Sequence, residues 1–172
     1  MKSLLILCLL LASCATIPDG VQPVTGFEVE RYMGTWYEIA RIDNQNEGAL
    51  VRVNAEYRLL PDGKIEVIYR GFNVRSNSWS SLKANAWFEG SKEVASLKIS
   101  FSTPFPGNYN VLVLGSGYRY ALVSGSTLDD LWILSRDPEF DKAIVDGLVA
   151  QAKTWGFNVS KLIIVDQKSL VK

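Results

Sequence analysis

Apolar and polar residues alternate with a period of two along most of the chain from Gly34 to Arg136. That period belongs to strands with one face in a core and the other in water. Eight segments follow it, at 35–42, 53–59, 64–72, 81–88, 95–101, 109–114, 118–123 and 131–136. In the second, Val53, Ala55, Tyr57 and Leu59 share one face, opposite Arg52, Asn54, Glu56 and Arg58. In the third, Ile65, Val67 and Tyr69 oppose Lys64, Glu66 and Arg70. The fourth carries Leu82, Ala84, Ala86 and Phe88 on one face, and the fifth Leu97, Ile99 and Phe101. Pro61-Asp62-Gly63 and Gly115-Ser116-Gly117 make tight turns after the second and sixth strands, whereas the loops at 43–50, 73–80, 102–108 and 124–130 are longer. Alternating strands with alternating loop lengths predict an all-β fold. It is an eight-stranded antiparallel up-and-down barrel, without exposed edges, with one tightly turned end and one open end.

The period then changes. Phe140, Ile144, Leu148, Ala152 and Trp155 recur at helical spacing, flanked by Val145 and Val149. Asp137 is the expected N-cap, Pro138 the first helical residue and Gly156 the stop. A short last strand is expected over 161–166. A helix with one apolar stripe must dock, and the outside of the barrel is the available surface. Ile39, Leu112 and Leu114 are therefore expected to point outward beneath it. The segment 27–33 is expected to plug the tightly turned end.

The first residues belong to none of this. Lys2 precedes the run SLLILCLLLA at 3–12, too short for a span of about 20 helical residues. The run closes on Leu11-Ala12-Ser13-Cys14, which resembles the lipobox of bacterial lipoproteins, where the Cys is lipidated and becomes the new N-terminus. The plainer alternative is an ordinary signal peptide that contains a Cys. Residues 1–13 are thus expected to be signal peptide, 14–25 a lipid-anchored linker punctuated by Pro18, Gly20 and Pro23, and 26–172 the barrel domain. Ala15, not Asp, follows Cys14. By resemblance to the sorting of enteric lipoproteins, this implies the outer membrane, with the body facing the periplasm.

Composition narrows the chemistry. Basic and acidic residues number 18 each, which argues against nucleic acid as a partner. The chain has no His, which removes the usual general base and His-ligated metal or haem. Its two Cys residues, at 8 and 14, form no framework for a disulfide or metal site, and no cofactor is expected.

Three local patterns converge on a family. Gly34-Thr35-Trp36 opens the first strand, Tyr118 to Val123 follows the last tight turn, and Arg136 ends the eighth strand. Together they resemble the lipocalin signature, over nearly the whole mature chain. With the lipobox, the sequence resembles the bacterial outer-membrane lipoprotein lipocalins, relatives of apolipoprotein D. Gly115-Ser116-Gly117-Tyr118 departs from the family's usual second motif. In an up-and-down barrel, Trp36, the turn before Tyr118 and Arg136 all fall at the closed end. Arg136 is therefore expected across the Trp36 indole, and Gly34, Trp36 and Arg136 are read as structural.

An eight-stranded barrel has room for one small ligand. The inward residues Ala55, Tyr57, Val67, Tyr69, Ala86, Phe88, Phe101 and Trp132 are read as cavity lining, the alanines leaving space; a simple packed core is the alternative from residue types alone. The Tyr57 and Tyr69 hydroxyls are candidates for a polar head. Arg41, Arg52 and Arg75 lie near the open rim and either meet an anionic head or are solvated charges. If Trp36 points inward, so do Glu38 and Ala40. The resemblance implies fatty acids or lysophospholipids as ligand, in lipid storage or transport for outer-membrane maintenance. No enzyme activity is expected, although a carboxylate hydrolase using Glu38, Asp129 or Asp130 stays open. So do a structural role through protein partners and a homodimer.

Overall fold

The computed structural model describes residues 17, 20–44, 47–101 and 104–168. The expected signal peptide, the expected lipidation site Cys14 and residues 15, 16, 18 and 19 of the expected linker lie outside the described residues.

The strands are β1 (Gly34–Ile42), β2 (Leu50–Leu59), β3 (Ile65–Asn73), β4 (Ser78–Phe88), β5 (Ser96–Ser100), β6 (Gly107–Leu114), β7 (Tyr120–Ser124), β8 (Leu131–Ser135) and β9 (Leu162–Ile164). Each of the first eight pairs antiparallel with its sequence neighbour, and β8 returns to β1, so the sheet closes into a barrel. Helix α1 (Val29–Tyr32) sits at the tightly turned end, where Val29 and Tyr32 are buried. Helix α2 (Lys142–Thr154) packs on the outside.

Two cores result. Inside the barrel, Trp36, Ala55, Tyr57, Ile65, Val67, Ala84, Ala86, Leu97, Val111, Val123 and Leu134 pack together with Phe27 and Tyr32. Outside it, Val145, Leu148 and Ala152 of α2 cover Ile39, Ala40, Ile42, Leu112, Leu122 and Ile133. Each fully buried large apolar side chain contributes roughly 1.5–3 kcal/mol, so both cores matter to stability.

Register shifts decide which residues fall on which side. The β1–β8 ladder slips between Glu38 and Ala40. Trp36 and Glu38 face inward as expected, but Ala40 joins Ile39 in the outer core, and Arg41 turns inward to reach Glu38. A second shift between Val111 and Val113 leaves Leu112 outside and returns Leu114 to the inner core, against the expectation for Leu114. A bulge adds one residue to one strand, and everything after it changes face.

The helix begins four residues later than expected. Asp141 is its N-cap, accepting from the Ala143 N–H, while Asp137 accepts from the Glu139 N–H in a turn of its own. Phe140 precedes the helix and packs obliquely on Tyr120, ring centroids 5.5 Å apart. The buried line on the helix is Val145, Leu148 and Ala152.

β1 and β2 pair only from Gly34 to Tyr37. Beyond that point β1 takes β9 as partner, at Ala40 to Ile42. The C-terminal segment fills the split. The Asp166 carbonyl accepts from the Arg52 N–H, and the Gln167 amide donates to the Glu38 and Val53 carbonyls at 2.7 and 2.9 Å. Carbonyls that would otherwise lack ladder partners are thereby satisfied.

Candidate functional site: the upper half of the barrel

The closed end is built around Trp36. Arg136 lies over the indole with its Cζ 3.9 Å from the ring centroid, the expected cation–π contact. Its guanidinium also donates to the carbonyls of Thr35 (2.9 Å), Arg31 (2.9 Å) and Tyr118 (3.3 Å). The Trp36 Nε1–H donates to the Tyr32 carbonyl, and Tyr32 stacks obliquely on the indole at 4.7 Å. Gly34 has φ +93°, which disfavours any side chain there, and Arg136 occupies the adjacent space. In the departing turn, a Cβ on Gly115 would stand 2.3 Å from the Tyr120 ring, so only glycine fits. The turn carries Tyr118 at φ +60°, and the Tyr118 hydroxyl caps the Glu28 N–H. This end is sealed.

Three tyrosines form the floor above it. The Tyr109 hydroxyl lies 2.6 Å from that of Tyr32 and 2.9 Å from that of Tyr57. Burial pushes all three phenols up, Tyr57 to about 12, so they stay neutral at physiological pH. Below this floor the barrel is filled. Ala86 faces a void of only about 10 Å³ shared with Phe27 and Leu97, and Phe88 packs edge-on to Phe27 at 6.2 Å. The alanines on β4 accommodate the plug, and Ala86 and Phe88 lie below the main cavity.

Above the floor is a cavity of about 110 Å³. Ala55, Tyr57, Val67, Tyr69, Phe101 and Trp132 line it, as expected from sequence, together with Trp36, Val53, Ile99, Tyr109, Val123 and Leu134. The volume is below the ~300–1,000 Å³ typical of pockets that swallow a whole small molecule. The wall is incomplete on one side. β5 ends at Ser100 opposite Asn85, and the rest of β4 has no β5 partner. Leu82, on the inward face of β4, is 54% exposed there, and Phe101 is 41% exposed. Val74, Trp79, Phe105 and Leu128 extend this exposed apolar rim around the open end.

The cavity wall also holds charge. The Arg41 guanidinium donates to Glu38 Oε1 at 2.7 Å, and both side chains are almost wholly buried. It donates as well to the carbonyls of Glu47 and Leu50, pinning the β1–β2 loop from within. Tyr69 donates to the other Glu38 oxygen at 3.1 Å, and the Trp132 indole N–H to Glu47 at 3.3 Å. Burial lifts the Glu38 pKa to about 7, and Glu47 adds to the lift while Arg41 opposes it. Burial pulls Arg41 down, but the attraction of Glu38 overrides this and leaves it raised.

These contacts revise several expectations. Arg41 is not a rim residue that awaits an anion, because Glu38 and Glu47 already hold it. The Tyr57 and Tyr69 hydroxyls are likewise engaged, with Tyr109 and Glu38. Arg52 lies over Trp79 at 5.8 Å and Arg75 is exposed on the β3–β4 loop, so these two remain at the open end. Asp130 caps Ser126 and Thr127, and Asp129 binds Asn158 and Lys161 outside the barrel. The three carboxylates considered for hydrolysis are not brought together. Glu47 and Tyr109, which complete the cavity, were not foreseen: Glu47 sits in a loop without periodicity, and Tyr109 was seen only as a strand start.

A nine-stranded sheet closed around an apolar, one-ended cavity, with an arginine over a buried tryptophan at the sealed end, defines a small β-barrel binding protein. The family model for the Lipocalin-like domain matches residues 27–167, and the chain belongs to the lipocalins. It is 46% identical over 155 residues to the outer membrane lipoprotein Blc of Citrobacter freundii, covering 90% of this chain and 88% of that protein. It is 41% identical to the Blc of Vibrio cholerae, covering 95% and 97%. Bovine apolipoprotein D is 31% identical over 150 residues, covering 82% and 77%. Among solved structures, insecticyanin from the tobacco hornworm Manduca sexta superposes with a TM-score of 0.71 at 20% identity, covering 90% of this chain and 88% of that one.

Proposed function

We propose that this lipocalin binds the acyl chain of a fatty acid or lysophospholipid in the upper half of its barrel. It stores or carries that lipid in maintenance of the outer membrane, to whose inner leaflet acyl chains on Cys14 tether it, with the body in the periplasm. The carrying observation is the apolar cavity of about 110 Å³ that ends on the tyrosine floor and opens over Leu82 and Phe101. A hydrocarbon tip enters, and the remaining chain leaves across the exposed apolar rim. Each methylene withdrawn from water contributes roughly 0.8 kcal/mol without a directional demand, so chain length matters more than identity. Arg52 and Arg75 stand at the open end, where an anionic head would emerge. The similarity to proteins named outer membrane lipoprotein Blc, together with the sequence around Cys14, supports the anchor and its destination.

The test uses the mature chain without its signal and with Cys14→Ala. Binding of alcohols of increasing chain length is titrated by tryptophan fluorescence. Affinity is expected to rise about threefold or more per methylene until cavity and rim are covered, then level off. No dependence on chain length would refute the reading.

A further inference from the structure

The charged cluster in the cavity wall has no role in binding a bare hydrocarbon. Two carboxylates, Glu38 and Glu47, line the cavity, and one guanidinium, Arg41, answers both. The groups facing Glu38 are Arg41 on its own strand, Glu47 from the β1–β2 loop, Tyr57 from β2 and Tyr69 from β3. The neighbouring wall residues on β8, Trp132 and Leu134, are uncharged. With both carboxylates ionised the cluster carries one net negative charge in a low-dielectric wall, where a charge acts more strongly than in water. Arg41 spends its donors on Glu38 and on loop carbonyls, so it offers little to an incoming anion. Glu47, Trp132, Tyr69 and Phe101 instead present a carboxylate and aromatic faces, surroundings that favour a cation.

We propose that Glu38 and Glu47 set a charge filter on the cavity, which admits neutral and ammonium-bearing amphiphiles and turns away an anionic head from its wall. This rests on the reading that the cavity takes an alkyl chain. An anionic lipid then binds tail first with its head held outside, at the Arg52 and Arg75 side of the mouth. Because Glu38 titrates near neutrality, the filter weakens as pH falls below about 7 and the cluster approaches zero net charge.

The test compares three probes with the same octyl chain: octanol, octyltrimethylammonium and octyl sulfonate, none of which changes charge between pH 5.5 and 8.5. The Cys14→Ala mature protein is titrated with each by calorimetry. At pH 8 the ammonium probe is expected to bind at least tenfold more tightly than the sulfonate, with octanol between them. At pH 5.5 that ratio should fall severalfold. Glu47→Gln, at a partly exposed position, should reduce it to about threefold at pH 8, and Glu38→Gln should remove its pH dependence. Equal binding of sulfonate and ammonium by the unmodified wall at pH 8 overturns the filter while leaving the acyl-chain reading intact. A ratio that neither substitution moves also overturns it. If octanol itself fails to bind, the acyl-chain reading falls and the filter with it.

Discussion

The two ends of the barrel are held by different means. At the closed end the contacts around Trp36 are to backbone or to a ring: Arg136 serves three carbonyls and the Trp36 face, and Tyr32 packs on the same indole. At the open end the contacts within the wall are charged: Arg41, Glu38 and Glu47 hold one another and pin a loop, and apolar residues around them remain exposed. Stacked rings and satisfied carbonyls make a rigid stopper. Buried charge with incomplete compensation is costly for stability. With the proposed charge filter, the contrast places stability at one end and selectivity at the other.

The sharpest way to break this contrast is Trp36→Ala. Removing a fully buried indole should cost about 3–5 kcal/mol, read from urea unfolding. A loss below 1 kcal/mol would mean the closed end is not the stabilising one. Next comes the pH profile. Glu38 in the folded chain holds its proton up to about 7 against an ordinary value of 4.5. Between those values the folded state binds more protons than the unfolded one, so this group makes stability fall as pH rises, by on the order of 3 kcal/mol. Unfolding of the Glu38→Gln variant should lack that slope. Arg136→Lys keeps a charge but not the planar fork that reaches three carbonyls, and should lose roughly 2 kcal/mol, nearly as much as Arg136→Ala. Ala55→Phe, at the cavity wall, should weaken octanol binding about tenfold with little change in unfolding midpoint. Arg75→Ala at the exposed loop should shift stability by less than about 0.5 kcal/mol.

The same contrast explains what could be read from the chain. The closed end was legible because its parts are local signals: Gly34 before Trp36, a tight turn, and an arginine at the end of the last barrel strand. Alternation alone places Trp36 and Arg136 at one end. The open end was less legible because bulges interrupt the alternation. The shift after Glu38 turned Arg41 from the rim into the wall, and the shift after Val111 sent Leu114 inside. Period-two reasoning has no means of counting an inserted residue. Nor does it see that β5 stops short of the rim, which is why Leu82 and Phe101 are exposed while Ala84 on the same face as Leu82 is buried. The helix was found by its period and misplaced at its start: Asp137 closes a separate turn on the Glu139 N–H, and the cap is Asp141.

The most direct test of the central claim is native mass spectrometry of the Cys14→Ala mature protein purified from cells and then titrated with lysophospholipid and fatty acid. One bound lipid per barrel is predicted, displaced or much reduced in Ala55→Phe. A spectrum showing only the bare chain with every acyl ligand, or a bound lipid that Ala55→Phe leaves untouched, would contradict binding in the upper barrel.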